Sequence, residues 1–337
     1  MTLHRLALNE SPYPPLPSVR EAMAHATAQA NRYPEFLPDR LTELIADWCR
    51  VAPESVAVGS GSVGVALQLL HAVIKPGDAQ AYAWRTFDAY PLLAGMAGAI
   101  PVPAPLLPDG RQDLPALARA IGDRTGVVVV CNPHNPTGML VTATELAAFL
   151  ARIPEHVIVV LDEAYIEFAR HPELPDSRAL LRAHPNLLVL RTFSKAYGLA
   201  ALRIGYGLGH PALIARIRCQ QLPYGINAVA AAAVEASLRA GDELRQRIDT
   251  VVAERERLSG ELAQLGQHVT HSHANCLWLG TPNPLEDCAA ALATAGIQAR
   301  HYEGEGIRLT IGERAANNAA LRALAPLGRR LKECVAR

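Results

Sequence analysis

In Arg191-Thr-Phe-Ser-Lys-Ala-Tyr-Gly-Leu-Ala-Ala-Leu-Arg203, Lys195 follows two hydroxyl side chains and precedes an arginine eight positions on. A lysine amine attacks an aldehyde only when neutral, and burial near cationic groups lowers its pKa. Hydroxyls donate to phosphate oxygens, and arginine offers a planar fork to the same dianion. A lone lysine after a strand is usually a solvated surface residue. Thr192, Ser194 and Arg203 turn the reading toward a Schiff-base lysine beside a phosphate cup.

Other residues extend this chemistry. Gly59-Ser-Gly-Ser-Val-Gly64 precedes a helical pattern. Glycines let backbone N–H groups approach an anion, and a helix N-terminus favours negative charge. Such turns are more often plain connections. This one lacks the lysine of a nucleotide P-loop and the spacing of the dinucleotide fingerprint. Asp162 ends an apolar run in Leu161-Asp-Glu-Ala-Tyr165. By itself it suits a helix cap or a metal ligand. Beside a Schiff-base lysine it suits the anion that keeps the pyridine ring of pyridoxal phosphate (PLP) protonated.

Tyr165 and Asn135, the latter in Asn132-Pro-His-Asn-Pro-Thr-Gly138, could hydrogen-bond the ring's 3′-oxygen. Phe87 offers a face for stacking, the alternative being a plain core residue. Arg308 sits inside the strand-like Gly306-Ile-Arg-Leu-Thr-Ile-Gly312. An arginine there is costly unless it meets an anion, and a substrate α-carboxylate is such an anion.

These groups need a scaffold, and the apolar runs describe one. Gly126–Cys131, His156–Asp162 and Asn186–Thr192 are near-continuous apolar runs, which mark strands buried on both faces of a parallel sheet. Shorter strands are expected at 56–58, 79–83 and 100–102. Helices are expected at 18–30, 62–74, 87–97, 142–152 and 176–183. The carboxyl ends of parallel strands face the ligand crevice, so Asn132, Asp162 and Lys195 should share one edge. Beyond residue 226 the pattern changes to helical segments over 226–265, strands at 276–279 and 307–311 with a helix between them, and a last helix near 313–333. The expected architecture is α/β: a large domain with a mostly parallel sheet covered by helices, plus a smaller α+β domain. The boundaries are an N-terminal arm over 1–30 belonging to the small domain, a large domain over 31–225 and a small one over 226–337.

The 337 residues carry 32 basic and 32 acidic side chains, so no net charge draws the chain to nucleic acid or an anionic membrane. Six scattered cysteines, with no Cys-x-x-Cys pair, read as reduced thiols of a cytoplasmic protein. His271 and His273 read as a polar loop, and no metal is expected. No signal peptide or membrane span is expected either.

Taken together, Asn135-Pro-Thr-Gly138, Asp162-Glu-Ala-Tyr165 and Ser194-Lys-Ala-Tyr-Gly-Leu-Ala with Arg203 resemble the fold-type I PLP enzymes. The likeness is to class I/II aminotransferases of the histidinol-phosphate aminotransferase family, from Leu8-Asn-Glu to Arg308-Leu-Thr-Ile-Gly. The resemblance implies that Lys195 holds PLP and shuttles a proton, that Asp162 pairs with the ring nitrogen, and that Asn135 and Tyr165 flank the 3′-oxygen. It implies a phosphate site of Ser62, Thr192, Ser194 and Arg203 with the backbone of Gly61 and Val63, and Phe87 stacked on the ring. It further implies that Arg308 takes the α-carboxylate, that Arg300 assists with a side-chain or second anionic group, and that Tyr33 reaches the partner's phosphate in a homodimer.

Many histidinol-phosphate enzymes carry an acidic pair after the glycine–serine turn, where this chain has Val63-Gly64. Val63 and Trp84-Arg-Thr-Phe87 look closer to the aromatic amino-acid branch. The expected activity is transamination between an aromatic L-amino acid and a 2-oxo acid such as 2-oxoglutarate. Histidinol-phosphate transamination and a PLP-dependent decarboxylase are the alternatives. A DNA-binding regulator of this fold is disfavoured, because no basic recognition helix is present.

Overall fold

A computed structural model describes residues 3–335, with side chains to residue 327. In chain order the strands are β1 (His4–Leu6), β2 (Val56–Gly59), β3 (Ala79–Trp84), β4 (Ile100–Pro105), β5 (Thr125–Cys131), β6 (Ile158–Asp162), β7 (Leu187–Thr192), β8 (Gly205–Gly209), β9 (Cys276–Gly280), β10 (Ile297–Tyr302) and β11 (Gly306–Thr310). The helices begin with α1 (Pro17–Thr27), α2 (Asp39–Cys49), α3 (Gly61–Val73), α4 (Ala89–Met96), α5 (Leu114–Arg119) and α6 (Ala143–Leu150). They continue with α7 (Ser177–Ala183), α8 (Pro211–Arg218), α9 (Ala228–Arg239), α10 (Gly241–Gln264), α11 (Leu285–Thr294) and α12 (Arg314–Val335).

Seven strands form one sheet in the order β2-β8-β7-β6-β5-β3-β4. All pairings within it are parallel except those of β8, which runs against both β2 and β7. Alternation along β5 explains its continuous apolar sequence. Val127 and Val129 pack into one core cluster with α3 and α8, while Val128 and Val130 pack into the other. The second sheet, in the order β1-β10-β11-β9, is antiparallel apart from the β1–β10 pair.

The expected strands are present. Three more carry weak sequence signals. β1 has three residues, β10 reads Ile-Gln-Ala-Arg-His-Tyr, and β8 reads Gly-Tyr-Gly-Leu-Gly. The glycines of β8 answer to packing: a Cβ on Gly207 would lie 2.9 Å from Val65 and 3.1 Å from Leu188. The helical segments expected over 226–265 are two helices, parted at Ala240 with Gly241 opening the second. Gly241 lowers the cost of breaking the helix there. The helix expected from Phe87 starts at Ala89, which leaves Phe87 on the loop after β3. Among the described residues, no helix is long and apolar enough to cross a membrane.

Candidate active site

The register of the large sheet brings three strand ends together. Cys131 of β5 pairs with Asp162 of β6, and Asp162 pairs with Leu190 of β7. Parallel neighbours then send Asn132, Asp162 and the Thr192–Lys195 turn out of one edge. Asp162 is buried. Its Oδ1 accepts from Ala164 N–H at 3.1 Å and its Oδ2 from the Tyr90 hydroxyl. Burial pushes its pKa up, the Tyr90 and Ala164 bonds oppose the rise, and Glu163 adds to it.

A second group lies around the N-terminus of α3. Ser60 caps the helix with no side-chain bond, so the first-turn N–H groups near Ser62 and Val63 keep free donors. Two glycines permit a tight approach. A Cβ on Gly61 (φ 73°) would meet Arg203 Nη2 at 2.5 Å, and one on Gly205 would meet Ser62 N at 2.3 Å. Arg203 itself holds a left-handed backbone (φ 52°) and donates to Ala200 O at 2.9 Å and Ser194 Oγ at 3.4 Å. Ser194 N–H in turn donates to Thr192 Oγ1 at 3.1 Å. Gly61, Ser62, Thr192, Ser194 and Arg203 therefore form one donor-rich cup.

Lys195 lies between these groups and the small sheet. Its Nζ donates to Leu8 O at 3.0 Å and stands 5.8 Å from the Tyr165 ring centroid. Burial, with Arg308 and Arg203 adding positive potential, lowers its pKa to about 8. Tyr165 O–H accepts from Asn9 Nδ2 at 3.1 Å, and burial holds its pKa above the usual tyrosine value. Arg308 enters from β11 and donates to Asn135 Oδ1 and, at 2.6 Å, to Ala7 O. Its Nε is buried without a partner. The turn carrying Asn135 closes at Gly138 (φ 72°), where a Cβ would fall 2.0 Å from Ser272 Oγ.

The remaining expected residues lie farther out. Phe87 is half-buried and meets Tyr90 edge-on, with centroids 5.7 Å apart. Arg300 is the cross-strand neighbour of Arg308, yet its guanidinium is paired with Asp88 at 3.1 Å. Tyr33 belongs to a different group: it is 85% exposed and packs on Tyr224 with ring centroids 4.8 Å apart.

Two further residues contribute, Asn9 and Tyr90. Asn9 is fully buried at φ 52°. Its backbone N–H donates to Thr310 Oγ1 at 2.9 Å, its Oδ1 accepts from Thr310 at 3.0 Å, and its carbonyl accepts from Asn275 at 3.1 Å. Nothing local in Leu8-Asn-Glu announces those distant partners. Tyr90 donates to Asp162, and its place three residues after Phe87 is the signal the sequence offers.

The chain is similar to known proteins in sequence and fold. The profile of the aminotransferase class I and II family matches residues 2–324. The aromatic amino acid aminotransferase of Thermobifida fusca is 50% identical over 317 residues, which span 94% of this chain and 88% of the relative. That of Streptomyces coelicolor is 46% identical over 319 residues, 95% of this chain and 89% of the relative. The histidinol-phosphate aminotransferase of Sinorhizobium meliloti, solved in complex with pyridoxal-5'-phosphate, superposes with a TM-score of 0.89 at 28% identity. It covers 97% of this chain and 91% of its own. The expected fold-type I α/β architecture is the observed one. A strand edge that gathers Lys195, Asp162 and the Arg203 cup, together with these matches, settles the family: the chain belongs to the class I and II aminotransferases.

Proposed function

We propose that the protein is a PLP-dependent transaminase that exchanges the amino group between an aromatic L-amino acid and a 2-oxo acid such as 2-oxoglutarate. The observation that carries this reading is a Lys195 amine with a pKa near 8, set among a buried Asp162, the Arg203 cup and Arg308. Relatives at 45–50% identity named aromatic amino acid aminotransferases support the substrate class.

The residues fit the cofactor on three counts. The cradle between Gly61 and Arg203 has no room for a Cβ and is rich in donors. Asp162 supplies a buried anion, and Lys195 supplies an amine that is partly neutral near pH 8. When bound, PLP supplies an electron sink for the carbanion formed at the substrate's α-carbon.

In this reading Ser62, Thr192, Ser194 and Arg203, with the backbone of Gly61 and Val63, bind the phosphate. Asp162 would hold a proton on the ring nitrogen, Phe87 would cover the ring, and Asn135 and Tyr165 would donate to its 3′-oxygen. Lys195 Nζ would hold the cofactor and, as a neutral amine, would take the α-proton of the substrate. Arg308 binds the α-carboxylate, the kind of anion that a buried guanidinium with an unpartnered Nε suits. Arg300 assists, and access to it requires loosening its pair with Asp88.

We further read residues 31–225 as the cofactor lobe and 226–337 with the arm 1–30 as the smaller lobe, a division supported by the two separate sheets. The working form is a cytoplasmic homodimer in which Tyr33 meets the partner's phosphate. The exposed aromatic group of Tyr33, Phe36 and Tyr224 supports such a contact.

A panel of amino donors with 2-oxoglutarate tests the substrate. Phenylalanine and tyrosine should outpace histidinol phosphate, and the reverse order would overturn the assignment. The same preparation should show a visible cofactor band that is lost in Lys195→Ala, and should sediment as a dimer.

A further inference from the structure

Asp162 is held from one side by a residue to which the roles above give no part. Tyr90 lies in the first turn of α4 and is 2% exposed. Its hydroxyl donates to Asp162 Oδ2. Its backbone N–H donates to Phe87 O at 3.1 Å, and its ring meets the Phe87 ring edge-on. One side chain thus touches both the acid that faces the ring nitrogen and the aromatic that covers the ring.

The titratable groups around this carboxylate come from every neighbouring element. They are Tyr90 from α4, Cys131 from β5, Glu163 following β6 and Lys195 following β7, with Tyr165 acting on Tyr90. Cys276 of β9 stands behind Cys131. Glu163 is a like charge next in the chain, and its own carboxylate is taken up by Arg191 and Ser177. Burial favours the neutral acid, and the hydrogen bonds from Tyr90 and Ala164 oppose it.

We propose that Tyr90 is a positioning residue for the transamination: it holds Asp162 in place as a carboxylate aimed at the ring nitrogen of the bound cofactor. This rests on the cofactor reading above. Removing one donor from a buried carboxylate shifts its ionisation by roughly ten- to a hundredfold. A ring nitrogen facing a less ionised partner carries less positive charge. The nitrogen that joins Lys195 to the cofactor then keeps its proton to higher pH.

Tyr90→Phe keeps the buried ring and removes only the donor. It should be reconstituted with PLP and, separately, with PLP methylated on the ring nitrogen, whose positive charge is fixed. With PLP, the pH midpoint of the visible band should rise by about one unit, and kcat should fall about tenfold with KM little changed. With the methylated cofactor, Tyr90→Phe and wild type should agree in both properties. Tyr90→His, which keeps a donor at the position, should lie nearer to wild type than Tyr90→Phe and gives a second measurement should the phenylalanine variant fold poorly.

An unchanged midpoint with PLP, a difference that persists with the methylated cofactor, or identical behaviour of the two variants would overturn the proposal. A wild type that forms no lysine-linked band at all would instead sink the cofactor reading on which it stands.

Discussion

Arg308 Nη1 donates to Asn135 Oδ1, joining an inner strand of the four-stranded sheet to the loop after β5 of the seven-stranded one. The bond fixes the guanidinium across the crevice, with its second amino group on Ala7 O and its Nε unpartnered. Such a fork is ready for a carboxylate. Truncating one member of a buried, hydrogen-bonded charge pair costs about 2–5 kcal/mol. Arg308→Met should therefore lower kcat/KM for amino-acid substrates by at least about thirtyfold. The cofactor's absorbance should remain, because Arg308 has no part in the phosphate cup. Steady-state kinetics alongside a spectrum check both halves.

Lys195 predicts a pH dependence. Its pKa is depressed to about 8 from an ordinary 10.5, so the amine is mostly charged below pH 8 and mostly neutral above it. Only the neutral form attacks an aldehyde. The rate at which cofactor-free protein captures PLP should rise with pH through about 8 and then level off. Stopped-flow absorbance at a series of pH values measures it, and a rate that climbs steadily to pH 10 or beyond would contradict the depressed value.

Gly205 predicts a cofactor defect with a backbone cause. A Cβ there would come 2.3 Å from Ser62 N and 2.7 Å from the Gly61 carbonyl carbon. Overpacking of this kind costs typically 1–3 kcal/mol, here paid by displacing the turn that faces the phosphate. Gly205→Ala should weaken PLP binding about five- to a hundredfold. Fluorescence titration of cofactor-free protein reads this directly.

Glu163 and Arg191 predict a stability defect away from the crevice. Glu163 is fully buried, and its two oxygens accept from Ser177 Oγ at 2.5 Å and Arg191 Nε at 2.7 Å. Arg191→Met leaves that carboxylate uncompensated and should cost about 3–5 kcal/mol. The double variant Arg191→Met, Glu163→Leu should recover much of the loss. Urea unfolding of the two proteins decides it.

The contrast between Asp162 and Asn9 explains how far the sequence could be read. Asp162 ends a buried strand, so its place on the sheet edge follows from apolar runs and parallel pairing alone. The same holds for Lys195, just beyond β7. Asn9 is as deeply placed, but its partners Tyr165, Asn275 and Thr310 lie between about 150 and 300 residues away. No local period encodes such a meeting. β8 was hidden for a different reason: its glycines, required by the close approach of Val65 and Leu188, erase the β-branched pattern by which strands are found. Arg300 could be named from its strand, yet its pairing with Asp88 depends on how two sheets face one another.

The arm around Asn9 also bears on how the chain acquires its structure. β1 pairs with β10, and Asn9 closes on Thr310, 301 residues later. β1 can close its ladder only once β10 has been made. Contacts of such long separation form late. The seven-stranded sheet, finished by residue 209, can assemble beforehand. A chain made only that far would hold the lysine's own sheet with neither Arg308 nor the docking strand of the arm yet in place.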